Sequence, residues 1–253
     1  MPDPKNSNPF LEIPPGDVWG PGSREMALPL IEAVGVTRGM RVLEVGGGSG
    51  AIAVTLAKHF EVTVFTLEPW FGGNEIQKRA VAAGVGDRVI AIRNRAQSLV
   101  FADETFDAVI SIGSFEMIGP DRLQALEQMV RVAKRGARIG IAEPMCLPVP
   151  IPTDLRELDR AQAEDQRQNS HLEENSFEYH FRSTDWNAEL FAQTGLAVIE
   201  SSYFPEAQKW WTEYAAHVRE PERKLIEVDG GRWMTLGMVV GEKRTTLPPA
   251  SSP

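Results

Sequence analysis

One stretch constrains this chain more than any other: V-L-E-V-G-G-G-S-G, from Val42 to Gly50. An apolar run of strand type breaks into glycines, and an amphipathic helical pattern, AIAVTLAKHF, follows at once over 51–60. Glycine lets a backbone turn sharply and lets a ligand approach the main chain closely. The first turn of the following helix offers N–H groups with no intrahelical partner, which suits a polar or anionic ligand.

The rest of the chain repeats this alternation at short spacing. Strands are expected over 41–45, 61–67, 88–92, 107–112, 138–142, 196–204 and 234–241. Helices are expected over 23–34, with Ser23 as N-cap and Pro29 inside the pattern, and over 51–60, 74–83, 121–133 and 185–194. A helix carrying Trp210 and Trp211 falls between the last two strands. A K-R-G-A turn is expected before the fifth strand. Such alternation argues for a parallel sheet with helices on both faces. The first 21 residues hold six prolines and exclude a long helix there, and the end, TTLPPASSP, reads as a disordered tail. Prolines at 144, 148, 150 and 152 interrupt the rhythm after the fifth strand. A polar, mostly helical excursion over 153–183 follows, with eight acidic and four basic side chains.

Composition narrows the class. The chain has 253 residues, 42% of them apolar and 24% charged, as in an ordinary globular protein of one large domain or two small ones. No apolar run has the roughly 18–20 residues that span a bilayer, and the first residues, MPDPKNSNPF, form no secretory signal pattern. One cysteine, Cys146, excludes an intramolecular disulfide and a multi-cysteine metal site, and fits a cytoplasmic setting. A net charge of -9 argues against nucleic acid or an anionic membrane surface as partner.

The glycine spacing alone admits two readings. Gly46, Gly48 and Ala51 satisfy the dinucleotide pattern G-x-G-x-x-G/A. Glu44, two residues before the first glycine, separates them. A carboxylate buried in a strand is costly without a partner. Near a pyrophosphate it would repel the ligand, whereas it can face the ammonium or sulfonium side of S-adenosylmethionine. On these residues the chain resembles the class I S-adenosylmethionine-dependent methyltransferases, over roughly 23–243. Phe106 and Asp107 ahead of the fourth strand, the K-R-G-A turn and the late seventh strand belong to the same resemblance. It implies a Rossmann-like, doubly wound α/β sheet of seven strands, mostly parallel, with an antiparallel last strand inserted beside the fifth and a helical lid insertion. In domain terms, residues 1–21 would be an extended segment or lid and 22–243 the methyltransferase domain. Within that domain 144–183 would cover the acceptor, and 244–253 would be tail.

The resemblance sharpens at S-I-G-S-F-E-M-I-G, from Ser111 to Gly119. This is similar to the S-I-G-x-F-E-H-x-G stretch of the cyclopropane-fatty-acid-synthase-like branch, which holds many N- and C-methyltransferases of small molecules. Met117 stands where that branch has a histidine, which argues against ring-forming chemistry. Other departures follow. Strand two ends with Thr66 and Glu68, either of which can bond ribose hydroxyls. After strand three Arg95 replaces a common aspartate that accepts from the adenine amine, and Arg95 can only donate.

Residue by residue, the resemblance implies that Gly46, Gly48 and Gly50 make the cofactor turn and that Glu44 faces the methionine end. Thr66 or Glu68 would hold the ribose. Trp70 and Phe71 would cover the adenine face, where plain packing is the competing role for Trp70. Ala96 and Gln97 would lie by the adenine, and Ile112 and Gly113 under the sulfonium. Candidate catalytic groups are Glu116, His180 and Tyr203, with His171 and Tyr179 behind them; a solvated surface position competes for both histidines. No metal is expected. There is no D/N-P-P-Y after strand four, the mark of enzymes acting on nucleic-acid bases, and strands four and five do not end in the paired acids of metal-dependent catechol-type enzymes. The lid, Trp19 and the Trp210–Trp211 helix would wall the acceptor pocket. The reading is methyl transfer from S-adenosyl-L-methionine to a small organic acceptor by in-line displacement. Two alternatives stand beside it: an NAD(P)-dependent oxidoreductase, and a non-catalytic S-adenosylmethionine-binding module. The acceptor, the need for a general base and homo-oligomerisation stay open.

Overall fold

The computed structural model describes residues 8–70, 73–169 and 176–245. The strands are β1 (Arg41–Val45), β2 (Thr63–Leu67), β3 (Val89–Ile92), β4 (Phe106–Ile112), β5 (Ala133–Cys146), β6 (Leu196–Tyr203) and β7 (Met234–Lys243). They form one seven-stranded sheet in the order β3-β2-β1-β4-β5-β7-β6. The pairs from β3 to β5 are parallel, and β7 runs antiparallel to both β5 and β6. This is the doubly wound, Rossmann-like arrangement with an inserted antiparallel strand.

The sheet is covered on both faces because its strands are apolar at successive positions, not alternate ones. Val42, Val64, Ala108 and Ile110 join one core, with α1 (Ser23–Val34) and α2 (Ala51–Phe60). Leu43, Val45, Phe106 and Val109 join the other, with α4 (Arg122–Val132) and α7 (Thr184–Gln193). Between them in sequence lie α3 (Gly73–Ala82), α5 (Thr153–Asn169) and α6 (Phe177–His180). Two helices, α8 (Ala207–Ala215) and α9 (Glu220–Asp229), separate β6 from β7. The proline-rich start forms short 3-10 turns over Pro9–Glu12 and Pro15–Asp17, anchored by the buried ring of Phe10 against Phe60.

The structure departs from the sequence reading in local ways with clear causes. Ser23 is the first helical residue of α1, and Gly22, in the left-handed region, is its N-cap. The Ser23 hydroxyl donates instead to the carbonyl of Trp19 at 2.9 Å. K-R-G-A lies within β5: the strand starts at Ala133 opposite Phe106, and a bulge between Phe106 and Ala108 absorbs the extra residues. At its other end β5 runs on to Cys146, because β7 keeps pairing with it after β4 stops at Ala142. Pro144 is tolerated there since one side of the strand needs no partner. The second helix after β6, α9, was not anticipated. The tail beyond Thr245 lies outside the described residues. Among the described residues no helix is long and apolar enough to cross a membrane.

Asp229 closes α9 onto β7. It is buried and accepts backbone N–H groups from Gly231, Trp233 and Met234 at 2.9–3.2 Å. Removing a charged acceptor from several buried donors costs about 2–4 kcal/mol. Asp229→Ala is therefore expected to lower the Tm by roughly 5–12 °C, and a calorimetric melt within about 2 °C of wild type would show that water replaces the carboxylate.

Candidate functional site

The glycine turn sits over the carboxyl end of β2. The N–H groups of Gly46 and Gly47 donate to the Leu67 carbonyl at 2.9 and 2.8 Å. Two neighbours explain why these positions cannot carry a side chain. A Cβ at Gly46 (φ +84) would lie 1.8 Å from the Ser114 hydroxyl, and one at Gly47 would lie 1.8 Å from Oγ1 of Thr66. Thr66 fills that space because its hydroxyl reaches Oε2 of Glu44, its register partner across β1 and β2, at 2.5 Å. Glu44 is 2% exposed. Burial pushes its pKa up to about 7, the Thr66 hydrogen bond opposes that, and the charge of Glu68 adds to it.

Two adjoining cavities open at this end of the sheet. The first, about 280 Å³, is lined by Glu44, Gly46, Gly48, Glu68, Trp70, Ile112 and Gly113, with Trp19 and Ser23 across from them. The second, about 240 Å³, is lined by Gly46, Glu68, Trp70, Arg95, Ala96, Gln97 and Asp121. Glu68 borders both, held by N–H groups of Gly48 and Trp70 at 2.9 Å each. Thr66 is fully buried and lines neither. Gly50 lies behind the turn as the left-handed N-cap of α2, its face closed by Ile76. Trp70 is 68% exposed, with the Arg95 guanidinium 5.5 Å from its ring centre. Phe71 and His171 lie outside the described residues.

The N-terminal segment crosses the first cavity. Arg79 holds Asp17 at 2.7 Å, Ser49 donates to the Asp17 carbonyl, and the Trp19 ring lies against Gly48. Beyond it is the largest cavity described, about 630 Å³, between this segment and α8. Trp19, Tyr214, Trp210 and His217 line it. Tyr214 has its pKa raised by burial and by the Glu222 carboxyl, to which it donates. Tyr214 repeats the Trp210 face one helical turn on, a signal the sequence carried; Glu222 belongs to the helix that was missed.

The remaining candidates separate. Glu116 is buried beneath the loop after β4, and there it meets Glu143 of β5 carboxyl to carboxyl. The sequence reading placed no paired acids at the ends of these strands; extending β5 past Ala142 brings the pair together. The buried guanidinium of Arg122 lies beside them and donates to the carbonyls of Glu116 and His180. Burial raises both carboxyl pKa values, and for Glu143 the charge of Glu116 raises it further. His180 is buried, its Nδ1 is 3.2 Å from the Glu116 carbonyl, and it lines a cavity of about 220 Å³ with Met117, Asp159 and Glu222. Tyr203 is not brought to the site. Its hydroxyl donates to the Cys146 carbonyl at 3.0 Å and accepts from the Thr184 N–H at 3.2 Å, and it lines none of these four cavities. Among the described residues no group of three or more His, Cys, Asp or Glu side chains is placed to hold a metal ion.

Known proteins share this site-bearing half. Residues 43–141, from β1 through most of β5, match the family model described as a methyltransferase domain. Methyltransferase GfsG of Streptomyces halstedii is 34% identical over 143 residues, 56% of this chain and 48% of that protein. The matched stretch spans less than half the length of the curated relatives. In fold, the [4+2]-cyclase SpnF superposes with a TM-score of 0.71 at 15% identity, covering 88% of this chain and 82% of that one. Geranyl diphosphate C-methyltransferase of Streptomyces coelicolor A3(2), solved with S-adenosyl-L-homocysteine, gives 0.70 at 16%, covering 87% and 78%. The chain thus resembles the methyltransferases in sequence across the glycine turn and in fold across most of its length.

Two buried acids beside one guanidinium hold a shared proton that the unfolded chain, with ordinary glutamates near pH 4.3, gives up. Their contribution to stability is complete below that ordinary value and is lost as pH rises through the elevated ones. Wild-type Tm is therefore expected to fall between about pH 5 and about pH 8. Glu143→Gln, whose amide donates to Glu116 without a titrating proton, should flatten that slope. An unchanged slope in the variant would rule out the shared proton.

Proposed function

We propose, taking the methyltransferase match of residues 43–141 as premise, that this chain is an S-adenosylmethionine-dependent methyltransferase acting on a small organic acceptor. The observation that carries this reading is the pair of carboxyls, Glu44 and Glu68, set around a turn whose glycine faces are closed to any Cβ. The residues fit the cofactor. Glu44, charged, suits the ammonium of its methionine moiety. Glu68 keeps lone pairs beyond its two N–H bonds for the ribose hydroxyls. Thr66 is then a positioning residue that aims Glu44. Trp70, Ala96 and Gln97 wall the adenine, and Ile112 and Gly113 lie under the sulfur. Bound there, S-adenosylmethionine supplies an electrophilic methyl group.

The chain's own part is placement and exclusion of water. Displacement at a sulfonium needs the acceptor held in line in a dry site. The 630 Å³ cavity shares Trp19 and Ser23 with the cofactor cavity and has the size of a small-molecule site, whereas the 220 Å³ one is below that range. We assign the acceptor to the larger. The segment over 15–22 acts as the lid between them; among the described residues none of 144–183, expected to cover the acceptor, lines the larger cavity. Tyr214, its one O–H donated to Glu222, shapes the acceptor cavity and is not a base. Glu116 and His180 act through the shape of the loop beneath. The single cysteine suits a cytoplasmic setting. An oxidoreductase reading is opposed by Glu44, which would face a pyrophosphate, whereas Glu68 at the end of β2 suits a ribose in either reading.

Calorimetric titration with S-adenosylhomocysteine, and with NADH as control, tests the reading. Affinity in the micromolar range for the first alone is expected; NADH binding alone would overturn it. The ammonium of S-adenosylhomocysteine takes the ionised form of Glu44, so affinity should tighten about tenfold from about pH 5.5 to about pH 7. Glu44→Gln should bind more weakly and lose that dependence.

A further inference from the structure

An adenine carries an exocyclic amine with two hydrogens to donate, so a pocket that reads it needs an acceptor. Gln97 on the 240 Å³ cavity carries an acceptor oxygen of its own and donates through its nitrogen to Asp121 at 3.5 Å; the other side-chain acceptors there can be taken in turn. Glu68 has both oxygens on N–H groups of the turn, at the ribose end. The Asn94 carbonyl oxygen takes the Arg95 N–H at 2.7 Å, and its amide nitrogen donates to Ser98 at 3.2 Å. Arg95 has nothing to accept with, and it lies over the Trp70 ring. The Ser114 hydroxyl sits against Gly46.

Asp121 is different. It holds the N-cap position of α4, where an aspartate ordinarily accepts an N–H from the first helical turn. Among the described residues it makes no such bond. It lines the cavity instead, and its Oδ2 accepts from Nε2 of Gln97 at 3.5 Å. It thereby forgoes the cap and shares the cavity lining with Trp70.

We propose that Asp121, steadied by Gln97, is the residue that reads the exocyclic amine of the cofactor's adenine, in a cleft whose outer plate is Trp70 with Arg95 laid on it. This rests on the cofactor reading above. A carboxylate at this point selects a 6-amino purine and repels a 6-oxo one. The role of the aspartate that Arg95 replaces is thus filled from the loop after β4.

The test compares S-adenosylhomocysteine with S-inosylhomocysteine by calorimetry. Wild type is expected to prefer the amino nucleoside by about thirtyfold or more. Asp121→Ala should lose about tenfold for S-adenosylhomocysteine and bring the two ligands within about threefold. Asp121→Asn, whose amide can donate to a 6-oxo group, should bind S-inosylhomocysteine more tightly than wild type does. The Tm of each variant should stay near wild type, because the side chain caps nothing. If Asp121→Ala binds S-adenosylhomocysteine with the wild-type preference, this inference falls and the cofactor reading stands. If wild type binds neither nucleoside, the cofactor reading fails, and this inference with it.

Discussion

The hydrogen bond between Thr66 and Glu44, under Gly47, is the contact on which the glycine-turn end of the molecule depends. Thr66 occupies the volume a side chain at 47 would need, and its hydroxyl holds an acid that would otherwise be buried alone. The turn can then close down onto the Leu67 carbonyl through two N–H bonds. That closure brings the Gly48 N–H to Glu68 and sets Glu68 where both cavities meet. One packing constraint thereby fixes two carboxyls, the bend of the main chain and the start of α2.

The opposite half of the sheet follows from the antiparallel β7. Because it pairs with β5 beyond the point where β4 ends, β5 carries Glu143 up to the level of Glu116. Two acids and a guanidinium are then enclosed with a net charge near zero only if one proton stays. One terminal nitrogen of Arg122 donates to the carbonyls of Glu116 and His180. The cluster joins the loop after β4 to the end of α6.

How much was legible in the sequence depends on whether the cause was local. The strand–glycine–helix unit was legible because Gly46 and Gly47 are needed for reasons of backbone path and close contact that leave few other residue choices. The parallel order of the strands, and β7 between β5 and β6, came with the family resemblance. The choice between Thr66 and Glu68 was not legible by spacing: both lie on β2 or at its end, and only the register against Glu44 turns Thr66 inward. Glu143 escaped notice because the prolines after it suggested that β5 had ended. Tyr203 was a candidate by residue type alone, and its hydroxyl bridges Cys146 and Thr184.

A role in a binding site is a point in space with a required chemistry, and a sequence position is only one way to reach it. Reading for a fixed motif therefore finds a loss wherever the expected residue is absent. At 95 the acid is gone, but the guanidinium in its place has a use on the indole of Trp70, and the α4 N-cap supplies a carboxylate that the helix itself does not take up. At 117 the histidine is gone, and a histidine ring from α6 stands instead by the carbonyl of Glu116. Both substitutions come from elements facing the same loop after β4. That loop, broken at Gly119 and held by Arg122, is where this chain has room to change partners without disturbing the glycine turn.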